Sequence, residues 1–487
     1  MNNKLLKSSS LLVLMRLIFR SLGLISTLIL ARLLLPEDFG IIAITSLFIF
    51  FFEVLSNTGI QQYLVQKPEM DDEDVYSAWT LDIVIKGIMA FICLVISPLV
   101  AMFYDNPEIG YAVAVLSSVI LIRALMNPGL HIFRRNLEYA LIFKISVVQK
   151  IISVCVVISI AFYYKSFWAI IVGDIVSALT GVILSYKYCH FKPRLSRQRF
   201  KEQWEFSKWM LSRGVVGYAR AQVDVFFVSK LFPLNQLGFY NMSKEITVMP
   251  AFDIIAPATE PLVATFSRVR DNLPELSKQF SLAVLVVMIF VSPICAFLFY
   301  YPEHFIKVVL GDKWIEAAPI MQVLPLLLLA FSLSSIINNV FISTGRVKAV
   351  FYYDVLSLLL VVSILLLMTF SSITDFALWR SIVALFVTVL FIFLAIYIIK
   401  CPWHLILWAM FLPMACSLVS IHLINLILFD NKSLLAFLLM GSMFCIGYFI
   451  ILLFTAYIMR TNNLICFEIN RNSTKFIYKR LFPGRSE

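Results

Sequence analysis

The chain is 487 residues long; 61% of its residues are hydrophobic and only 14% are charged. In soluble proteins about a quarter of the residues are charged, so this composition excludes a soluble globular fold and places most of the chain in lipid. The net charge of +11 would suggest a nucleic-acid partner in a soluble protein, but in a membrane protein it is explained by topology.

The start of the chain carries Lys4 and Lys7, followed by an apolar run that ends near Leu34. This run is longer than the apolar core of a signal peptide, which has about 7–15 residues, and no small-residue cleavage site follows it. We therefore expect an uncleaved membrane-spanning helix at this position.

Continuous apolar runs long enough to cross a bilayer, which takes about 20 residues, recur along the whole chain. Because they do not alternate with polar residues, they predict helices and exclude a transmembrane β-barrel. The fourteen predicted spans are 9–34, 39–60, 78–104, 109–130, 142–164, 167–189, 207–231, 237–265, 279–301, 318–343, 349–370, 374–399, 403–429 and 433–459. The expected fold class is an all-α integral membrane protein.

Lysine and arginine are distributed unevenly between the two sides of the predicted spans. Of the 40 such residues, 25 lie on the side of both termini, six lie on the opposite side and nine lie within spans. Since cytoplasmic segments are enriched in these residues, both termini are predicted to be cytoplasmic. The basic loop 189–206 on that side is interpreted as a linker and topogenic signal, with contact to anionic lipid headgroups as the alternative.

A sequence pattern near the start of the chain recurs 198 residues later. Arg32 precedes Gly40 by eight residues, as Lys230 precedes Gly238, and each intervening turn contains a proline. Each turn also follows a membrane-length segment with two arginines. Duplicated halves of this kind are typical of transporters, in which one half rocks against the other.

Nine basic residues lie within the predicted spans, where each costs about 2.5–3.5 kcal/mol at a helix centre. Such a cost indicates a water-filled cavity or a partner charge, and a cationic cavity suits an anionic passenger because arginine matches phosphate oxygens. The eight cavity candidates are Arg16, Arg20, Lys86, Arg123, Lys150, Arg213, Arg220 and Lys244. The alternative is salt bridges that only hold the bundle together, and it applies most to Lys86 and Arg220, which lie four residues from an acid.

Acidic residues within the spans are candidates for carrying a coupling proton or Na⁺. They are Glu53, Asp82, Asp174 and Asp224. No other cofactor and no metal are expected, because the eight cysteines and five histidines are scattered without metal-ligand spacing.

Four stretches make the chain resemble the Wzx-type polysaccharide flippases of the MOP exporter superfamily. They are residues 31–40 (ARLLLPEDFG), 57–67 (NTGIQQYLVQK), 224–240 (DVFFVSKLFPLNQLGFY) and 341–348 (FISTGRVK). The resemblance covers essentially the whole chain and implies a MATE-like, V-shaped pair of pseudo-symmetric six-helix bundles with two additional helices. The domains expected on this basis are the bundles 1–190 and 207–400, the basic linker 191–206, the extra helices 401–460 and a basic cytoplasmic tail 461–487.

The same resemblance implies a function without catalysis. It implies that undecaprenyl-pyrophosphate-linked oligosaccharide repeat units cross the bacterial inner membrane for capsule, exopolysaccharide or O-antigen synthesis, by alternating access through the cationic cavity. Expected partners are the lipid-linked oligosaccharide and membrane lipids, with a glycan polymerase and a chain-length regulator as further candidates. Two alternatives are a Na⁺- or H⁺-coupled multidrug exporter, which predicts an acid-rich cavity, and a membrane glycan-forming enzyme, which predicts a larger periplasmic loop.

Overall fold

The computed structural model describes residues 3–67, 69–427 and 434–461, and every regular element within these ranges is a helix. The predicted all-α membrane class is therefore confirmed. Residues 462–487 of the predicted tail lie outside the described part of the chain.

Twelve helices within the described residues are long and apolar enough to cross a membrane. Two of the fourteen predicted spans are not among them. The span predicted at 207–231 lies in a long helix whose sequence includes Arg213, Arg220 and Asp224, and these charged residues lower the hydropathy of the segment. The last predicted span lies in the helix Leu434–Thr461, and the apolar stretch described within that helix is Leu439–Thr455. The count of fourteen is thus not confirmed.

The chain divides into two compact units, Met1–Asn241 and Met242–Glu487, and the boundary falls inside helix α10. The helices up to this boundary are α1 (Asn3–Leu33), α2 (Pro36–Leu55), α3 (Ile60–Gln66), α4 (Asp72–Tyr104), α5 (Pro107–Ala124), α6 (Gly129–Arg135), α7 (Tyr139–Tyr164), α8 (Trp168–Tyr188), α9 (Phe200–Leu231) and α10 (Leu234–Pro250). In the first unit α4 packs along α5 and α7 packs along α8, while α1 lies against α7. Helix α2 contacts α4, α5 and α9, and these four helices surround the site described below.

Local chemistry fixes the start of α2. Pro36 occupies the first helical turn, where its missing N–H group is not needed. The carboxylate of Asp38 accepts hydrogen bonds from the backbone N–H groups of Leu35 at 2.9 Å and of Phe167 at 3.2 Å. One side chain therefore caps α2 and ties it to the turn that precedes α8.

The two copies of the sequence repeat contact each other at the first turns of α2 and α10. A Cβ atom added to Gly40 would lie 2.1 Å from the carbonyl oxygen of Leu234, and one added to Gly238 would lie 1.9 Å from that of Pro36. Both obstacles are backbone atoms, which cannot rotate away as a side chain can. The crossing of these helices therefore requires a residue without a side chain at both positions.

The basic linker after α8 is docked on the start of α4 by polar contacts. Arg199 forms an ion pair with Asp71, and its Nη1 atom lies 3.1 Å from a carboxylate oxygen of Asp74. Ser196 donates a hydrogen bond from Oγ to Glu73 at 2.8 Å. We call Asp71, Glu73, Asp74 and Arg199 the linker clamp. The linker clamp pairs the acidic residues at the start of α4 with the basic linker.

Replacing Asp71 with alanine is expected to lower the free energy of unfolding by about 1 kcal/mol, because Asp71 is the N-cap of α4. Its carboxylate accepts from the backbone N–H of Asp74 at 2.9 Å. The half-exposed ion pair with Arg199 adds little, since solvent screens it. Denaturant unfolding of the purified protein measures the change. The matched control is Asp72→Ala, which removes the same charge from the first turn without removing the cap; equal losses for both variants would contradict the assignment.

The contribution of the Asp71 cap to the free energy of unfolding depends on pH. The backbone N–H of Asp74, followed by the smaller effect of Arg199, holds the pKa of Asp71 below its ordinary value of 3.8. A lowered pKa in the folded state means that the cap stabilises the protein at higher pH, and that this contribution is lost as the pH falls through the folded value. The difference in stability between the wild type and Asp71→Ala should therefore be constant near neutral pH and shrink in acid.

The second unit continues α10 through a π-helical turn, Ala251–Ile255, in a segment interrupted by three prolines. Its remaining elements are α11 (Ala256–Thr259), α12 (Leu262–Arg268), α13 (Leu273–Tyr300), α14 (Pro302–Val309), a 3-10 turn (Asp312–Ala317), α15 (Ala318–Val323), α16 (Pro325–Ser343), α17 (Val347–Leu367), α18 (Ile373–Ile399), α19 (Trp403–Ile427) and α20 (Leu434–Thr461). Helices α13, α16, α18 and α19 form its centre. There Phe391 stacks on Phe341 and Tyr353, with ring centroids 4.6 and 3.9 Å apart.

Candidate functional site

A cavity of about 500 Å³ lies within the first unit, between α2, α4, α5 and α9. Four residues predicted from the sequence line it: Glu53 on α2, Asp82 and Lys86 on α4, and Arg123 on α5. The structure thus brings together two of the predicted cations and two of the predicted ion-coupling acids. Each of these side chains would be costly in a lipid-facing position, and a partner of opposite charge in an interior cavity lowers that cost.

Lys86 and Asp82 form the first of two ion pairs in this cavity. The Lys86 Nζ atom lies 2.6 Å from Asp82 Oδ2, and the two residues are one helical turn apart. The second carboxylate oxygen, Oδ1, accepts a hydrogen bond from the hydroxyl of Thr58 at 2.9 Å. The Asp82 side chain is 9% exposed. Because each of its carboxylate oxygens has a partner, the side chain is fixed in this buried position.

Arg123 and Glu53 form the second ion pair, which links α5 to α2. The Arg123 side chain is 41% exposed and that of Glu53 is 25% exposed. A guanidinium group carries five N–H donors, so a single carboxylate leaves most of them available to a molecule in the cavity. Asp174 lies within electrostatic range of both members of this pair and of Lys150.

Helix α9 supplies the opposite wall through Tyr218 and Gln222. The Tyr218 hydroxyl donates a hydrogen bond to the backbone carbonyl of Leu47, which fixes the ring against α2. Neither residue was predicted from the sequence, because only side chains with a formal charge were candidates for the cavity. Their spacing of four residues places them on one face of α9, and this periodicity was the signal available.

The other predicted residues lie elsewhere in the described part of the chain. Arg16 is exposed on α1 and Arg20 is half-buried one turn later. Asp224 is fully buried and accepts a hydrogen bond from the Tyr240 hydroxyl at 2.9 Å. Arg220 on α9 and Lys244 in the second unit are half-buried. The backbone of Arg213 belongs to α9, but its side chain is outside what the structure describes.

The cavity charges balance, since two cations face two carboxylates. Around them lie the apolar side chains of Phe50, Ile60 and Ile120. Such a site offers cationic N–H donors to phosphate or carboxylate oxygens, in surroundings where water is partly excluded. The salt-bridge alternative, which the spacing of four residues indicated for Lys86, corresponds to the Lys86–Asp82 pair.

Twelve apolar helices in the described part of the chain, together with a charged cavity, define a multi-pass helical membrane protein, and its fold has solved counterparts. It is similar to the lipid II flippase MurJ in an inward closed conformation, with a TM-score of 0.75, 15% sequence identity and coverage of 94% of this chain and 100% of that chain. It is also similar to an inward-facing multidrug resistance MATE family transporter of the MOP superfamily, with a TM-score of 0.59, 11% identity and coverage of 79% and 94%. At these identities the likeness shows the fold alone.

A family model described as "Polysaccharide biosynthesis protein" matches residues 29–319, and the chain belongs to this family. Similar curated proteins include the lipopolysaccharide biosynthesis protein WzxC of Escherichia coli (strain K12), 21% identical over 338 residues, or 69% of either chain. Another is the succinoglycan biosynthesis transport protein ExoT of Rhizobium meliloti (strain 1021), 22% identical over 300 residues, or 61% of either chain. The family predicted from the four sequence stretches is confirmed.

Proposed function

We propose that this protein translocates lipid-linked oligosaccharide repeat units across the bacterial inner membrane during surface polysaccharide synthesis. The observation that carries the proposal is a cavity with Lys86 and Arg123 among its lining residues, in a chain of the polysaccharide biosynthesis family. The printed names of the relatives, which refer to lipopolysaccharide synthesis and succinoglycan transport, support the same class of cargo. The excess of basic residues on one side of the spans supports cytoplasmic termini.

In this mechanism the charged pyrophosphate enters the cavity while the prenyl chain stays in the bilayer. Lys86 and Arg123 donate hydrogen bonds to phosphate oxygens and so offset the cost of taking the headgroup out of water. The apolar residues Phe50, Ile60 and Ile120 limit the access of water to these contacts. Alternating access then exposes the cavity to the other side.

The remaining cations are proposed to act at other stages of the passage. Arg16 and Arg20 are four residues apart on α1, so they lie on one face of this helix. Lys150 lies within electrostatic range of Asp174 and is proposed to attract the headgroup toward the cavity. For the cations on α9 and α10 the proposed role rests on their positions in the sequence alone. These residues are Arg213, Arg220 and Lys244. For Asp174 and Asp224 we propose roles in ion coupling.

A multidrug exporter is the second candidate, and the MATE-like fold favours it. The two functions separate in one experiment. In a strain that lacks its own polysaccharide exporter, the wild-type protein is expected to restore surface polysaccharide without changing resistance to cationic drugs. Raised drug resistance without surface polysaccharide would contradict the proposal and support the alternative.

A further inference from the structure

A second cavity lies within the second unit, at one end of its membrane-spanning helices. Its volume is about 290 Å³, and its lining includes two arginines, Arg270 and Arg346. The other lining residues are Asp271, Leu273, Thr344, Ile398 and Ile399. None of these residues lines the cavity of the first unit, so this is a separate site.

The second cavity lies where four apolar spans begin or end. Leu273 is the first residue of α13, and Ile399 is the last residue of α18. Thr344 follows the end of α16, and Arg346 directly precedes α17. All four helices contain segments long and apolar enough to cross a membrane. Since the ends of such spans lie at the membrane surface, the cavity lies at the depth of the lipid headgroups.

The chain around this cavity is strongly basic. The segments that contribute to the lining are 266–278, 344–348 and 398–402, and they carry six basic and two acidic residues. The basic residues are Arg268, Arg270, Lys278, Arg346, Lys348 and Lys400. Of the two acids, Glu275 accepts a hydrogen bond from the side chain of Gln279 at 3.0 Å, and Asp271 is 95% exposed. Basic pockets between membrane helices on the cytoplasmic side bind anionic lipid headgroups, and these segments belong to the side predicted to be cytoplasmic.

The turn that ends α16 fixes the position of Arg346. Gly345 has a φ angle of 74°, in the left-handed region that glycine adopts without strain. The backbone N–H of Gly345 donates to the carbonyl of Ile342 at 3.1 Å, and that of Arg346 donates to the carbonyl of Phe341 at 2.8 Å. These two bonds form a Schellman motif. The exposed side chain of Arg346 forms no ion pair with a carboxylate in the described part of the chain.

Arg270 belongs to the loop before α13, and its side chain is 59% exposed. Its Nε atom lies 3.6 Å from a carboxylate oxygen of Asp271, which is longer than a hydrogen bond. Solvent screens a pair of this kind, and four further N–H donors belong to the same guanidinium group. Together the two arginines offer the planar donor geometry that matches phosphate oxygens.

We propose that this cavity binds the phosphodiester headgroup of an anionic membrane phospholipid, such as phosphatidylglycerol. Arg270 and Arg346 donate hydrogen bonds to the phosphate oxygens. The hydroxyl of Thr344 donates to the carbonyl of Val340 at 2.9 Å, so its oxygen can accept a hydrogen bond from a hydroxyl of the headgroup. The inference does not depend on the proposed function.

The size and lining of the cavity favour a headgroup over a larger molecule. Pockets that enclose drug-sized ligands have volumes of about 300–1,000 Å³, so about 290 Å³ suits a headgroup whose acyl chains stay in the bilayer. The apolar side chains of Leu273, Ile398 and Ile399 match the adjoining glycerol and upper acyl region. A bound lipid would join the ends of α13, α16 and α18 and so stabilise the second unit.

The test is thermal unfolding of the detergent-solubilised full-length protein during titration with dioleoyl phosphatidylglycerol. A ligand that binds the folded state raises the unfolding temperature, and the dependence on lipid concentration gives an apparent Kd. We expect a saturable rise for the wild type. Dioleoyl phosphatidylcholine, whose choline cation is repelled by the arginines, and inorganic phosphate at the same concentrations should leave the unfolding temperature unchanged.

Replacing both arginines of the second cavity is expected to weaken binding of phosphatidylglycerol about thirtyfold, because each basic residue near an anionic lipid contributes about a factor of five. The variant is Arg270→Gln/Arg346→Gln. The matched control Lys192→Gln/Arg197→Gln removes two charges from the basic linker and should keep the wild-type affinity. The cavity variant Lys86→Gln/Arg123→Gln should also keep it, which separates the two sites.

Three results would overturn the inference. Equal affinity of the wild type and the Arg270→Gln/Arg346→Gln variant would show that the lipid binds elsewhere. An equal rise with inorganic phosphate would assign the site to a soluble anion. A rise with farnesyl pyrophosphate but not with phosphatidylglycerol would assign it to the transported lipid. If the double variant does not fold, Arg270→Gln alone decides: the expected weakening is about fivefold, and an unchanged affinity contradicts the site.

Discussion

Replacing Lys86 and Arg123 together with glutamine is expected to abolish export of surface polysaccharide while the protein still accumulates in the membrane. Hydrogen bonds to charged groups contribute about 1.5–3 kcal/mol each, and about 1.4 kcal/mol corresponds to a factor of ten. Loss of both cations therefore predicts a decrease in transport of at least about a hundredfold. The double variant also leaves Glu53 and Asp82 facing an anionic headgroup without compensation.

The matched control removes two charges from the same unit without touching the cavity. Lys192 and Arg197 are exposed on the basic linker, and their replacement with glutamine should leave export close to the wild-type level. Surface polysaccharide and membrane protein are measured in the same cells for both variants. Normal polysaccharide from a well-expressed Lys86→Gln/Arg123→Gln protein would remove these cations from the mechanism.

Replacing Gly40 with alanine is expected to cause a large loss of stability in the first unit. The new methyl group would meet the backbone of Leu234 at 2.1 Å, so α2 or α10 must shift. Overpacking of a rigid interior costs about 1–3 kcal/mol, and a clash with backbone atoms belongs at the upper end of this range. The same outcome is expected for Gly238→Ala, because the contact is reciprocal.

A glycine on α4 provides the control for this prediction. A Cβ atom added to Gly87 has no neighbour within 4 Å, and alanine favours a helix by about 1 kcal/mol over glycine. Gly87→Ala should thus match or exceed the wild type in thermal unfolding and in the amount of protein in the membrane. Equal stability of Gly40→Ala and Gly87→Ala would show that the crossing tolerates a side chain.

Much of the fold could be predicted from the sequence because lipid imposes a simple rule on length and polarity. The apolar runs gave the helices and the class, and the repeat around Gly40 and Gly238 marked two equivalent turns. The contact between these turns could not be predicted, since spacing along the chain carries no distance between helices. The span predicted at 207–231 shows a limit of the length rule. A long helix, α9, is present there, but its charged residues lower its hydropathy below that of the other spans.

Part of the candidate site could also be predicted from the sequence, because helix geometry fixes which nearby residues meet. Asp82 and Lys86 are four residues apart, so their pairing follows from helix geometry alone. The pairing of Arg123 with Glu53 joins α5 to α2 and depends on tertiary packing. Tyr218 carries no formal charge at neutral pH, and its place in the cavity wall became visible only in the structure.

The central claim is that the cavity cations carry a lipid-linked headgroup across the bilayer. It is tested most directly by reconstituting the full-length protein with a fluorescent lipid-linked oligosaccharide and following its accessibility to a quencher in the outer leaflet. The wild type is expected to make the labelled lipid exchange between leaflets, and the Lys86→Gln/Arg123→Gln protein to exchange it no faster than vesicles without protein. Equal exchange by the two proteins, or none by a folded wild type, would contradict the account.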